Sequence, residues 1–463
     1  MKRLNLILLL TVFIMSACSD WLDVQPLGDI EANDQISSAE GFMEILDGAY
    51  IGISKGELYG KELTYGYLAE VATNHYTSEL NTLHNYEDAS KYGRSDNIFI
   101  NAYNVIANLN FLLDNIDAKR DLFTEADYLG IKAEAKAIRA FIHFDLLRAF
   151  AVNYSDSPES KAIPYVDVFE KRVFEHVSAS EVIQKVLKDL DYAEQNLKLV
   201  DPIVGLEFEE ENALLTVRKY RFNYYAILAI KARIYQYIGE PEKASQYAQQ
   251  VMENFPYEWT STEDVLEDQV FFNENILILN AYQLYAMASS DFGGGKYTTG
   301  DQFYEYGKTK IFDVVTGGAG ANDVRYTYCF TYDVNGNKNI STKYNNEFVV
   351  GMPLIKISEM FLILAENTLS SDKSAAIALL NEVRSRRSVQ AVNESATEEE
   401  VMEEIIKEFR KETFLEGQYF FLNKRLMSTT LPALHYDDLL VDQSVYTFPL
   451  PQNEIEFGDG SRI

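Results

Sequence analysis

The sequence predicts a mainly α-helical protein in which a tetratricopeptide-like scaffold of helical hairpins carries an irregular, loop-rich half containing short strands. Three observations predict it. Residues 223–256 have the register of a helical-hairpin repeat, and several other stretches keep helical periodicity over many turns. Helical periodicity fades from about 270 to 350, rich in Gly, Tyr, Asn and Thr, and about 55–95 is similarly irregular and rich in Tyr, Asn and His.

In chain order, Lys2 and Arg3 precede an uncharged, nearly all-apolar run from Leu6 to Met15, and the small residues Ser16 and Ala17 follow. This order marks residues 1–17 as a secretory signal peptide, because the run is too short to span a bilayer. Met-Ser-Ala-Cys at 15–18 resembles a bacterial lipobox, with Met15 where Leu is more usual. Cys18 is therefore the expected lipidation site and the first residue of the mature chain. The alternative is an ordinary signal peptide with an incidental cysteine. A single acyl chain binds membrane marginally, whereas two or three hold firmly.

Residues 18–463 are expected to form one domain, with the helical scaffold mainly at 95–255 and 353–425. Loss of Lys2 and Arg3 with the signal takes the formal charge from −30 to −32. An acidic body with no basic block argues against nucleic acid and against docking to anionic surfaces. No later segment has the length and apolarity of a transmembrane helix. Cys329, the other cysteine, has no intramolecular partner once Cys18 is lipidated, so no disulfide framework is expected.

The scaffold elements follow from spacing. In "AEAKAIRAFIHFDLLRAFAVNY" (133–154), Ile138, Phe141, Ile142, Leu146, Ala149 and Phe150 share one helical face. Ala137, Phe144 and Leu147 cover a second, so this helix is expected to be buried on two sides. "SASEVIQKVLKDLDYAEQNL" (178–197) is its expected antiparallel partner. At 223–256, Ala232 and Ala244 permit close helix approach, Tyr235 fills the gap, Gly239 ends the first helix, and Pro241 opens the second. Ala248, Val251 and Pro256 complete the register, and such a hairpin needs neighbours to cover its apolar face. "PLIKISEMFLILAENTL" (353–369) and "KSAAIALLNEVRSRR" (373–387) make a further pair. A last helix opens at Thr397 with a capping box to Glu400, turns Met402, Ile405, Ile406 and Phe409 inward, and is expected to stop at Gly417.

Within 270–350, "VFFNENILIL" predicts a short strand and "FTYDVNGNKNISTKY" a hairpin turning at Asn335-Gly336. "FGGGKY" and "TGGAGAN" are loops. Irregular aromatic segments on a helical scaffold are common places for binding surfaces.

Motifs for catalysis are missing: no His-Glu-x-x-His, no Gly-x-Ser-x-Gly, no paired Cys-x-x-Cys. "SSDFGGGKY" fails as a phosphate loop because Ser290 holds the first glycine position and Tyr297 replaces the magnesium-ligating Ser or Thr. "DVNGNKN" (333–339) brings its glycine two positions too early for a calcium loop. The histidines, His75, His84, His143, His176 and His435, show no metal-ligand spacing, and His143 sits in the buried-helix pattern as a hydrogen-bonded core residue. No metal and no cofactor is expected.

Taken in order, several motifs resemble the SusD/RagB family of Bacteroidetes outer-membrane lipoproteins. "CSDWLDVQP" is similar to the family's Cys-x-Asp-aromatic-Leu-Asp-x-x-Pro opening, and 133–154 to its buried Arg-Ala-x-x-x-Phe-x-Leu helix. "PLIKISEMFLILAE" with "ALLNEVRSRR" resembles the third helical pair. "EFRKETFLEGQYFF" and "FPLPQNEI" resemble the C-terminal motifs, so the likeness runs from residue 18 to 455. Phe409 and Tyr419 stand where the family usually has Arg, and Leu422 where Asp is common. These departures are expected to remove structural ion pairs while leaving the fold intact. After Ile455 the family's Asn-Pro-containing tail is replaced by "EFGDGSRI".

The resemblance implies a non-catalytic, lipid-anchored protein on the outer face of the outer membrane. It would capture oligosaccharide, or in some branches peptide, and pass it to a SusC-like TonB-dependent transporter. A surface-anchored glycoside hydrolase and a plain protein–protein scaffold are the alternatives. With 31 Tyr and only Trp21 and Trp259, tyrosine must form any stacking platform. The family has no fixed binding motif, so the expected site rests on chemistry. Asn74, His75 and Tyr76 put hydrogen-bonding groups beside an aromatic face; Tyr282, Tyr285 and Tyr297 follow the strand and flank "FGGGKY". The two clusters are expected to face one pocket. The alternative is that these tyrosines pack against the scaffold with only their hydroxyls at the surface.

Overall fold

Several helices of this protein begin where a short polar side chain caps them, and α4 (Glu125–Phe150) buries more than one face. The computed structural model describes residues 36–73, 89–205, 213–293, 307–314, 318–332, 338–341, 343–344, 349, 351–432 and 438–458. Cys18, Asn74, His75, Tyr76 and Tyr297 lie outside the described residues, as do His84, His435 and the Asn335-Gly336 turn.

The first part of the chain holds α1 (Ala39–Ile53), α2 (Tyr67–Thr73), α3 (Ala89–Ile116), α4 (Glu125–Phe150), β1 (Lys161–Pro164), β2 (His176–Ser178) and α5 (Ala179–Val200). Next come α6 (Ala213–Lys219), α7 (Tyr224–Tyr237) and α8 (Pro241–Asn254). The irregular part contributes β3 (Asn275–Leu279), α9 (Leu284–Ala288), α10 (Val324–Cys329), β4 (Phe330–Tyr332), β5 (Lys338–Ser341) and β6 (Met352–Lys356). Then follow α11 (Ile357–Thr368), α12 (Lys373–Arg386), α13 (Glu398–Glu412) and α14 (Gln418–Arg425). Strands β7 (Thr430–Leu431) and β8 (Leu439–Leu440) and helix α15 (Gln452–Phe457) end the described chain.

Ser38, Thr124, Ser178, Asn223 and Asp372 each cap a helix by accepting a backbone N–H. Thr397 and Glu400 form the expected capping box. Helix α4 is buried continuously from Ala140 to Phe150, the two-sided burial its sequence predicts. It runs antiparallel to α5: Arg139 meets Asp189, while the earlier Lys132 lies over the later Tyr192 ring. Arg139 and Asp189 form a buried two-point ion pair that Lys136 and Tyr165 complete.

Helices α7 and α8 are the expected hairpin. Ala232, Ala244, Ala248 and Val251 are buried, Gly239 ends the first helix at φ +78°, and Pro241 occupies the first turn of the second. Tyr235 is half-buried and stacks on Tyr247 at 5.6 Å, so it closes the hairpin from one side.

Three boundaries differ from the sequence reading. Residues 352–356 are a strand rather than the start of a helix, because β6 pairs antiparallel with β3 and is buried on both faces. A run buried on both faces carries no period, so sequence cannot separate strand from helix there. The strand expected within "VFFNENILIL" is confined to Asn275–Leu279, after a short helical turn at Phe272–Glu274. Helix α13 ends at Glu412, and Gly417, at φ +77°, caps the start of α14 instead. Strands β4 and β5 pair antiparallel, as the predicted hairpin requires.

The irregular part is bound to the scaffold through buried charge. Arg387 donates to Glu274 at 2.9 Å and to Glu412 at 2.7 Å. Arg325 donates to Glu412 at 2.7 Å and grips Asp323 with two bonds of 2.9 and 2.7 Å. Lys343 and Lys356 converge on Glu416 at 2.7 and 2.8 Å. Burial alone would raise the Glu412 carboxyl, but Arg387, Lys356 and Arg325 outweigh it and hold it well below the usual range.

Candidate functional site

Strand β3 is buried along its whole length and delivers the chain into α9. Leu284 and Ala288, one helical turn apart, face inward and anchor that helix. Tyr285 between them and Tyr282 just before them face outward, with 48% and 75% of their surface exposed. Gln283 donates to the Tyr282 hydroxyl at 3.0 Å.

The second half of this surface is the tight turn at 54–66. Its backbone folds on itself, with Tyr59 N–H donating to Ile53 and Gly66 N–H to Lys61 at 3.0 and 2.7 Å. Lys61 pairs with Asp291 at 2.6 Å, and the Tyr65 hydroxyl donates to the same carboxylate at 3.4 Å. The Tyr65 ring lies 5.5 Å from Phe292 and 5.7 Å from Tyr344. Burial, then Asp291, pushes the Tyr65 phenol far above its ordinary value, so it remains a donor. This clasp fixes the segment after α9 against the turn.

The same turn supports α2, which leads to Asn74, His75 and Tyr76. Arg94 pairs with both Glu62 and Glu70 and lies 4.5 Å from the Tyr67 ring centre. The stretches before residue 74 and after residue 288 are therefore held by one structural unit. Lys61, Tyr65 and Asp291 were not singled out by sequence reasoning, because their partners lie more than 200 residues apart (for Tyr65 and Asp291, 226). No local pattern encodes such a pairing.

A separate cavity of about 630 Å³ opens between α3, the segment 166–174 and α15. Phe99, Tyr103, Phe169 and Phe457 line it, and its carboxylates are engaged: Glu170 by Arg172 and Glu454 by His176. Asn104, Lys171 and Asn453 also line it, beside the aromatic side chains. This cavity was not singled out from the sequence; the stripe Phe99, Tyr103 and Ala107, at four-residue spacing, is the signal that could have located its floor.

The two described histidines are structural. His143 is fully buried; its Nδ1–H donates to the Arg139 carbonyl at 2.9 Å, and Nε2 accepts Val166 N–H at 3.1 Å. Burial pushes its pKa down to about 3, so the ring is neutral, as a hydrogen-bonded core residue requires. His176 Nδ1 faces the Ala162 carbonyl at 3.0 Å, and Nε2 faces Glu454 at 2.9 Å. Among the described residues, no group of three or more His, Cys, Asp or Glu side chains is placed to hold a metal ion. Nor, among them, is any helix long and apolar enough to cross a membrane.

Phe409 and Leu422, two of the departures from the family pattern, line one small cavity beside Arg148, Arg233 and Arg425. Those arginines keep carboxylate partners in Asp145, Glu359 and Glu366.

Residues 20–236 match the family described as starch-binding and associating with the outer membrane, and residues 232–438 match the SusD family. A SusD-like carbohydrate-binding protein from Bacteroides vulgatus has a solved structure that superposes with a TM-score of 0.69 at 18% identity, covering 90% of this chain and 96% of that one. A SusD superfamily structure from Bacteroides thetaiotaomicron gives 0.69 at 20% identity, covering 91% and 98%. Two SusD-like proteins of Formosa agariphila are 27% identical over 215 residues and 23% identical over 291. These matches take in 44% and 59% of this chain but only 39% and 49% of those relatives. With both halves matched in order and the whole fold shared, the chain belongs to the SusD/RagB family.

Proposed function

We propose that this protein is a non-catalytic, nutrient-binding lipoprotein of the outer-membrane surface. It captures oligosaccharide and hands it to a SusC-like TonB-dependent transporter. One observation carries the reading. Tyr282 and Tyr285 are 75% and 48% exposed, just before and within α9, and the segment that follows α9 is clasped to the turn at 54–66. Sugar rings stack their CH faces on such tyrosines, and amide and imidazole groups satisfy hydroxyls. Family membership and the carbohydrate-binding relative support the ligand class. The lipobox at Cys18 supports the anchor.

A soluble Cys18→Ala chain tests the ligand on a glycan array set beside a peptide library. Saturable glycan binding without product formation supports the proposal. Peptide binding alone redirects it to peptide capture, and turnover of an oligosaccharide replaces it with a hydrolase. Losing one stacking tyrosine costs about 1 kcal/mol or more of affinity. If Tyr282→Ala and Tyr285→Ala both bind as wild type does, the platform is misplaced. The anchor is checked by palmitate labelling and outer-membrane fractionation of Cys18→Ala, both of which should fail, and the transporter by co-purification with a TonB-dependent barrel.

A further inference from the structure

The cavity between α3, the segment 166–174 and α15 holds about 630 Å³, inside the range of roughly 300–1,000 Å³ typical of small-ligand pockets. Its irregular wall is fixed by side chains from α3 and α4. Asn110 donates to the Val166 carbonyl at 3.0 Å, and Arg139 to the Asp167 carbonyl at 3.2 Å. The Val166 N–H donates to His143 Nε2 at 3.1 Å, and the Phe169 N–H to Asp114 Oδ2 at 2.7 Å. The Phe169 ring meets Phe111 edge-on at 5.3 Å. The α15 wall is tied down where His176 Nε2 faces Glu454 at 2.9 Å. Walls held this way need little ordering when a ligand enters.

Floor and mouth differ in chemistry. At the floor Phe99, Pro164 and Pro451 are buried and Tyr103 is half-buried. The polar groups beside them are already bonded. The Tyr103 hydroxyl donates to the Pro164 carbonyl at 2.7 Å, and the Val166 and Val168 carbonyls accept from Asn110. What the floor offers a ligand is apolar contact. Phe169, Val173 and Phe457 extend that contact outward, with 53%, 59% and 72% of their surface exposed. Large apolar side chains gathered round one concavity favour a ligand that covers them with carbon. Spare hydrogen-bonding capacity lies at the mouth, on the exposed side chains of Asn104, Lys171 and Asn453. Glu170 is taken by Arg172 and Glu454 by His176. Among the described residues, Lys171 is then the cavity's one cation without a carboxylate partner.

We propose that this cavity binds a small amphipathic acid, whose aromatic or alicyclic body lies on Phe99 and Tyr103 between Phe169 and Phe457 and whose acidic head meets Lys171. Release of water from the aromatic walls drives binding. The cavity shares no residue with the tyrosine platform, so the site stands whether or not the nutrient reading does.

The test titrates the soluble Cys18→Ala chain with two fluorescent probes of similar shape, anionic 8-anilinonaphthalene-1-sulfonate and neutral N-phenyl-1-naphthylamine. Both should bind saturably, one per chain, and 2-naphthoate should displace them. Phe457→Asp exchanges about 50 Å² of apolar contact for a carboxylate and should weaken both probes roughly tenfold. Lys171→Ala should weaken the sulfonate roughly threefold and leave the neutral probe unchanged. Both side chains are exposed, so the variants should keep the wild-type circular dichroism. If Phe457→Asp lost its fold, Val173→Asp would repeat the measurement on the other wall. Wild-type affinity for both probes in these aspartate variants would overturn the proposal, and equal effects of Lys171→Ala on the two probes would overturn the acidic head. If an oligosaccharide displaces the probes and 2-naphthoate does not, the cavity is a glycan subsite and the proposal is wrong. It is equally wrong if the chain sediments as a dimer that Phe457→Asp splits, because a second copy then covers this face.

Discussion

Replacing Glu412 by Gln is expected to destabilise the fold by about 3–5 kcal/mol. The carboxylate is buried and accepts from Arg325 Nη1, Arg387 Nε and Ser358 Oγ, each at 2.7 Å, and from Arg387 Nη2 at 3.2 Å. Glutamine keeps one acceptor oxygen and turns an amide NH₂ toward groups that are themselves donors. Two charge-assisted bonds at about 1.5–3 kcal/mol each are lost, and two guanidiniums keep their charge in a dry site. The sum agrees with the roughly 3–5 kcal/mol measured when one partner of a buried pair is removed. Urea unfolding at pH 7, followed by circular dichroism on the soluble Cys18→Ala background, measures it. Glu382→Gln is the control: its pair with Arg386 at 2.7 Å is exposed, and its loss should cost under about 0.5 kcal/mol. If Glu412→Gln costs no more than this control, the network is not what joins the irregular part to the scaffold.

Three further outcomes are expected. Gly417→Ala should cost at least about 2 kcal/mol by thermal or urea unfolding, since φ is +77° and the new Cβ would lie 2.4 Å from the Leu63 carbonyl oxygen. A loss below about 0.5 kcal/mol would contradict that geometry. His143, with its pKa pushed from 6.5 down to about 3, binds fewer protons folded than unfolded across that interval. Its contribution is therefore complete above pH 6.5 and lost on acidification, by about 2 kcal/mol at pH 5. Arg139, Asp189, Lys185, Tyr165 and Tyr103 face it. Asp268, raised to about 6, changes stability in the opposite sense but equally in wild type and His143→Gln, so the difference between their pH profiles isolates the histidine. Cys329 is buried, and burial pushes its thiol up to about 11, so Cys18→Ala protein should show no fast thiol reaction until denatured.

Local sequence carried the scaffold. Helix α4, the α7–α8 hairpin and the Thr397 capping box are legible because period, small-residue spacing and caps are properties of neighbouring residues. The ordered family motifs are legible for the same reason. The exposed Tyr282 and Tyr285 were reachable by residue chemistry, although their outward direction depends on Leu284 and Ala288 facing the core.

What only the tertiary structure decided is long-range. Strand β6 is a strand because β3 lies beside it, not because of any pattern in "MPLIK". The Tyr65–Asp291 clasp and the Arg387–Glu274–Glu412 network each join residues far apart in the chain. Periodicity reports which face of an element is buried, but not which element covers it. The partner of a buried charge is chosen by packing, and packing exists only once the chain has closed on itself.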